Sequence, residues 1–243
     1  MKAEVLERPF SIHSARDGGL YRWPLLDFEQ TNLFLKIAHE DGLYVKTPSE
    51  RGLADYRKFI KHGESNPVEI RPIEDLECYE NLDRTLRRLG LDELSRFPSE
   101  CAHYLAVHKL QYDRLRTQAS VRIPRLRFGV FRSTRWGVFH DLAPALFQER
   151  VRGTTLWHMY DFAALRVASR WEPYVPWIAR QLSGLLHSHL VNHVDWNIQN
   201  FIFNKDDERV YYVDLKPSLF ISRESNEQNL EGIRNYFLVG QRR

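Results

Sequence analysis

The sequence predicts an α+β fold in two lobes, and three observations carry that expectation. A hairpin of short apolar strands stands early in the chain, amphipathic helices fill its middle, and a second strand pair precedes a final helix. Strands and helices do not alternate as they would in a regular βαβ array. A chain of 243 residues with 43% hydrophobic content can build one domain, or two lobes sharing a cleft. The expected division is 1–148 for the first lobe and 149–243 for a second, reduced lobe, together making one domain.

The elements follow in order. The opening stretch holds Asp17-Gly18-Gly19 and Pro24 and reads as loop and turn. Residues 33–38 and 43–46 are short apolar runs on either side of His39-Glu40-Asp41-Gly42, and an Asp-Gly between two such runs signals a hairpin. Residues 49–62 read as a helix, with Ser49 as N-cap and Leu53, Tyr56, Phe59 and Ile60 on one face. Residues 66–76 look irregular, and 77–91 look helical up to Gly90. A third helix starts near Ser99-Glu100, after Pro98, with Tyr104, Leu105, Val107, Leu110 and Leu115 as its apolar positions. Pro124 ends that pattern, and 126–131 and 145–151 read as strands. A long helix is expected over 171–191, with Val175, Ile178, Leu182, Leu185, Leu186 and Leu190 as its stripe. Strands at 201–203 and 210–213 flank a polar turn, and a final helix is expected over 226–239.

Composition narrows the class. Thirty-five basic and 32 acidic residues leave a net charge of +3, which argues against a histone-like or polyanionic chain. Charged residues at 28% beside 13% aromatics exclude a disordered one. Cys78 and Cys101 make neither a disulfide framework nor a C-x-x-C pair, so they are expected as buried apolar side chains in a reducing compartment. The start has no apolar run of the secretory kind, and no window approaches the ~18 apolar residues of a membrane span. The expectation is a soluble cytoplasmic protein, with peripheral association at the inner membrane open to it through basic surface.

The most informative stretch is His193-Val194-Asp195-Trp196-Asn197-Ile198-Gln199-Asn200, followed later by Val213-Asp214-Leu215-Lys216. An amphipathic helix precedes it, Asn200 opens one apolar strand, and Asp214 closes the next. In order and spacing this resembles the catalytic and metal-binding loops of the protein-kinase-like superfamily, H-R-D-x-x-x-x-N followed by D-F-G. Two positions depart from that pattern: Val194 stands in place of the Arg, and Leu215-Lys216 in place of Phe-Gly.

The resemblance implies a protein-kinase-like two-lobed fold, ATP and Mg²⁺ as cofactors, and a hydroxyl acceptor. Asp195 is then the base that orients the acceptor and takes its proton, Asn200 and Asp214 are the magnesium ligands, and His193 positions the loop. The family also expects a strand lysine on the ATP phosphates, paired with a helix glutamate. Lys46, in Gly42-Leu43-Tyr44-Val45-Lys46, takes the first role, with Lys36 as runner-up. Glu100 takes the second, with Glu50 as the alternative. Residues 147–153 resemble the hinge between lobes, where adenine would meet backbone groups near Gln148 to Arg150. No glycine-rich phosphate loop is evident, Gly18-Gly19 being the sole candidate.

Asn197 occupies the position where many Ser/Thr protein kinases carry a lysine, and little sequence follows Asp214 for a peptide platform. In layout the chain resembles bacterial lipopolysaccharide-core heptose kinases. Aminoglycoside phosphotransferases share the loops but usually have a larger second lobe. The implied acceptor is a carbohydrate or glycolipid. The alternatives are a compact, effector-type Ser/Thr protein kinase and a nucleotide-binding pseudokinase that serves as an interaction module.

Residues 114–135 hold seven arginines, from Arg114 to Arg135, and no acid. Such a run suits an anionic glycolipid surface or nucleic acid. Its alternation with Val121, Ile123, Leu126 and Phe128 reads more simply as a solvated face, and nucleic acid is not the expected partner. His187 and His189 point apart on a helix, so no zinc set is expected there.

Overall fold

The computed structural model describes residues 10–11, 34–38, 43–48, 81–118, 120–135, 139–215 and 223–238. The expected helix at 49–62 lies outside them, as do Gly18, Gly19, Glu50 and Cys78. The fold mixes helix and strand, α+β, in two compact units. One comprises 1–109 and 125–150, the other 110–124 and 151–243. The break after Arg150 falls within the segment read as a hinge. Residues 110–124, read with the first lobe, belong to the second unit because backbone bonds tie them there. The Arg122 N–H donates to Val210 O at 2.7 Å, and the Tyr212 N–H donates to Arg122 O at 2.9 Å.

The first unit holds a five-stranded sheet. Its strands are β1 (Phe10–Ser11), β2 (Phe34–Ala38), β3 (Leu43–Pro48), β4 (Leu126–Arg135) and β5 (Phe139–Glu149), in the order β1-β4-β5-β3-β2. β1 is parallel to β4 and lies inside the stretch read as loop. Phe10-Ser11 is too short to give an alternation signal. β2 and β3 are the expected hairpin, with Ile37 opposite Val45. β4 and β5 run well past the strands read from sequence and pair from Leu126↔Gln148 to Arg135↔Phe139. The polar residues that interrupt the apolar runs, such as Ser133 and Asp141, hid their continuation.

Two helices precede β4 in the chain, the second running from the first unit into the second. α1 (Leu82–Leu89) ends at Gly90, whose φ of 68° is the left-handed C-cap that glycine adopts freely. α2 (Ser99–Gln118) starts where Pro98, unable to sit in a helix interior, offers its carbonyl to the N–H groups of Cys101 and Ala102. Every residue from Cys101 to His108 is buried, so α2 is covered all round there and shows little sequence amphipathicity. Cys101 is buried as expected.

The second unit begins with β6 (Thr154–Thr155), a single turn α3 (Leu156–Met159), and a small hairpin of β7 (Tyr160–Asp161) and β8 (Arg166–Val167). The long helix expected over 171–191 is shorter. Ser169–Tyr174 is a 3₁₀ turn containing Pro173, and α4 (Val175–Leu186) starts with Pro176 in its first turn. It stops at His187 because the Ser188 hydroxyl donates to Leu185 O at 2.6 Å and accepts from the Leu190 N–H, replacing helical bonds. Ile178, Leu182, Leu185 and Leu190 are buried as read, whereas Val175 and Leu186 are only half-buried. β9 (Phe201–Asn204) and β10 (Arg209–Tyr212) pair antiparallel, with β6 on the other side of β9. α5 (Arg223–Ile233) continues into a π turn, Arg234–Leu238, where a plain helix was expected.

Candidate active site

Within the segment Val191–Asn200 two polar side chains, Asp195 and Asn200, are buried together with Val194, Trp196 and Ile198. Polar backbone is buried only where it finds partners, and this loop finds them on three elements, through residues of the second unit. From α2, the Gln111 amide donates to the His193 carbonyl. Arg114 Nη1 lies 3.1 Å from His193 Nδ1. A guanidinium can only donate, so Nδ1 accepts and the neutral imidazole carries its proton on Nε2. From β10, the hydroxyl of fully buried Tyr212 accepts from the Asp195 N–H at 3.0 Å. From α5, the Asn226 amide spans Asp195: its oxygen accepts from the Trp196 N–H at 2.7 Å, and its nitrogen donates to Val194 O at 2.9 Å.

The fourth support is apolar. Trp196 donates its indole N–H to Val191 O at 2.9 Å and stacks on Phe201, which packs in turn on Tyr212, at centroid separations of 5.7 and 5.3 Å. The apolar side chain after Asp195 therefore roots the loop in the core, leaving polar neighbours on either side.

Two of the residues read from the motif, Asp195 and Asn200, are bonded to each other. Asp195 Oδ1 accepts from the Asn197 N–H at 3.2 Å, and Asn200 Nδ2 donates to Asp195 O at 3.3 Å. Because a carbonyl can only accept, that bond assigns the amide NH₂ to Asp195 and leaves the amide oxygen of Asn200 for a cation. The Val213 N–H donates to Asn200 O at 2.8 Å, so the residue before Asp214 is bonded to the loop. Asp214, half-buried, follows β10 directly. One carboxylate and one amide oxygen are hard ligands of the kind a divalent magnesium ion accepts. Among the described residues no three His, Cys, Asp or Glu side chains gather as a metal site of their own. His187 spends its Nδ1 on Ser183 O, and His189 is exposed.

The other two motif residues lie in the first unit. Lys46 is only 5% exposed on β3, opposite Lys36 on β2 and Leu146 on β5. An ordinary surface lysine keeps its ammonium in water, so this burial sets Lys46 apart. Glu100 is half-buried in the first turn of α2, with the Ser99 hydroxyl 3.5 Å from its carboxylate. Gln148 is buried on β5, paired to both β3 and β4, and Glu149 bonds Arg125 through its N–H.

The arginine run is divided between the two units. Arg114 is on His193, Arg116 covers the Tyr112 ring, and Arg122, Arg125 and Arg127 are exposed while Val121, Leu126 and Phe128 are buried. Sequence reasoning missed Gln111, Arg114, Tyr212 and Asn226 as supports. Tyr212 carried one signal, the alternation that buries it with Val210; Asn226 acts across some thirty positions and leaves no local trace. No protein-family model matches the chain, and no curated protein matches it.

Proposed function

We propose that this protein is a phosphotransferase of protein-kinase-like fold that moves the γ-phosphoryl group of MgATP to a hydroxyl, with a carbohydrate of the lipopolysaccharide-core type as acceptor. The observation that carries the reading is the buried, cross-linked loop bearing Asp195 and Asn200, bonded to Val213, the residue before Asp214. Loops that hold reacting groups need such fixed support.

In this reading Asp195 accepts the proton of the acceptor hydroxyl. The acceptor oxygen forms a bond to γ-phosphorus as the bond to the bridging oxygen of ADP breaks. Asn200 and Asp214 would hold the magnesium, which neutralises phosphate charge. His193, carrying its proton on Nε2, and Asn226 keep Asp195 in place without touching substrate. Lys46, with Glu100 as its partner, would meet the α- and β-phosphates, and the burial of Lys46 supports a role beyond solvation.

The test is incubation with MgATP and candidate acceptors, read by the mass of each acceptor. Gain of a phosphoryl group on a sugar or glycolipid supports the reading. Transfer to protein instead would move the acceptor class to that of a compact Ser/Thr protein kinase. Nucleotide binding without transfer to any acceptor would favour a pseudokinase interaction module.

A further inference from the structure

The β7–β8 hairpin has an unusual tip. Phe162-Ala163-Ala164-Leu165 is wholly apolar, and all four residues are exposed. Leu165 is 75% exposed and is held at a φ of 51°, a backbone region that bulky side chains rarely adopt. Below the tip is an aromatic base. Phe162 lies 4.2 Å from Trp157 and 4.9 Å from Tyr160, centroid to centroid, and Tyr160 packs on Tyr236 at 4.1 Å. Trp157 is itself 40% exposed.

The polar side chains flanking the tip are one carboxylate, Asp161, and one cation, Arg166, both exposed. Asp161 Oδ1 accepts from the N–H groups of Ala163 and Ala164 at 3.0 and 3.1 Å, so the turn needs less water for its own donors. The next charged side chain is Arg166, exposed and opposite Asp161 in register. Apolar tip, aromatic collar and adjacent cation make the sequence of environments met at a bilayer surface: acyl chains, headgroup boundary, phosphates. A second copy of the chain fits less well, because a four-residue tip falls far short of the ~1,200 Å² that a stable protein interface buries.

We propose that the Phe162–Leu165 tip inserts into the headgroup–acyl boundary of an anionic bilayer, with Trp157 at the boundary and Arg166 on the lipid phosphates. The anchor is independent of the phosphotransfer reading and needs no nucleotide. Full-length protein is sedimented with vesicles of phosphatidylcholine alone and of phosphatidylcholine with phosphatidylglycerol. Native protein should bind the anionic vesicles more strongly. Leu165→Asn should weaken binding to both by about tenfold, while Arg166→Gln weakens only the anionic case. Asn tolerates positive φ, so Leu165→Asn keeps the fold, which an unchanged melting curve verifies. The proposal is overturned if native protein pellets with neither vesicle, if Leu165→Asn binds like the native chain, or if the substitution abolishes a dimer without affecting vesicles.

Discussion

The loop from His193 to Asn200 buries two polar side chains, Asp195 and Asn200, whereas the tip from Phe162 to Leu165 is apolar and lies exposed. Both invert the usual relation between polarity and burial, and they do so at opposite ends of one rule. Polar backbone leaves water where α2, β10 and α5 supply its partners. At the tip Leu165, at a positive φ, stands 75% exposed beside three other exposed apolar residues. Places where local sequence conflicts with local environment are where function is expected. The first contrast supports a reaction site and the second an attachment site.

Breaking the first half of the contrast should have the largest effects. Asp214→Ala should weaken magnesium-dependent nucleotide binding by more than about tenfold, measured by titration calorimetry with and without the metal. Binding that ignores the substitution would remove Asp214 from the cation. Asn226→Ala leaves Val194 O and the Trp196 N–H without their bonds and should cost about 2–3 kcal/mol in denaturant unfolding. Asn226→Asp keeps the acceptor for Trp196 but sets a carboxylate oxygen against Val194 O, which can only accept, and should cost at least as much. No loss in Asn226→Asp would mean that the amide does not span the loop.

The remaining effects are smaller. Gly153 has a φ of 143°, and a Cβ there would run into Phe203 O, so Gly153→Ala should cost about 2 kcal/mol and loosen the β6–β9 pairing. The Tyr160 hydroxyl beneath the tip is held above its usual 10.0, by burial first and then by Tyr236 and Asp161. Its stabilising contribution is fully present below pH 10.0 and is lost as pH rises through the raised value, which a series of alkaline melting curves would register. Leu165→Asn should move stability by less than about 0.5 kcal/mol. A larger loss would mean that the tip packs against the fold.

The hairpin at β2–β3, the strands β9 and β10 and the buried stripe of α4 were legible because short-range alternation and turn chemistry dictate them. The spacing of Asp195, Asn200 and Asp214 was legible for the same reason, since one loop and one strand pair carry all three. The placement of residues 110–124 was not, because it depends on the bridge between Arg122 and Tyr211. Asn226, Gln111 and Arg114 were hidden likewise, since each reaches the loop from a distant element and their types fit any solvated helix. The early end of α4 needed Ser188 to compete for helical bonds, an outcome that an apolar stripe through Leu190 does not reveal.

Asp195 has the central role in the proposed transfer, and the rate of MgATP-dependent phosphoryl transfer by Asp195→Asn tests that role most directly. Loss of a general base predicts a fall of about a hundredfold to ten-thousandfold with nucleotide affinity and melting temperature retained. Transfer at the native rate by that variant would contradict the account.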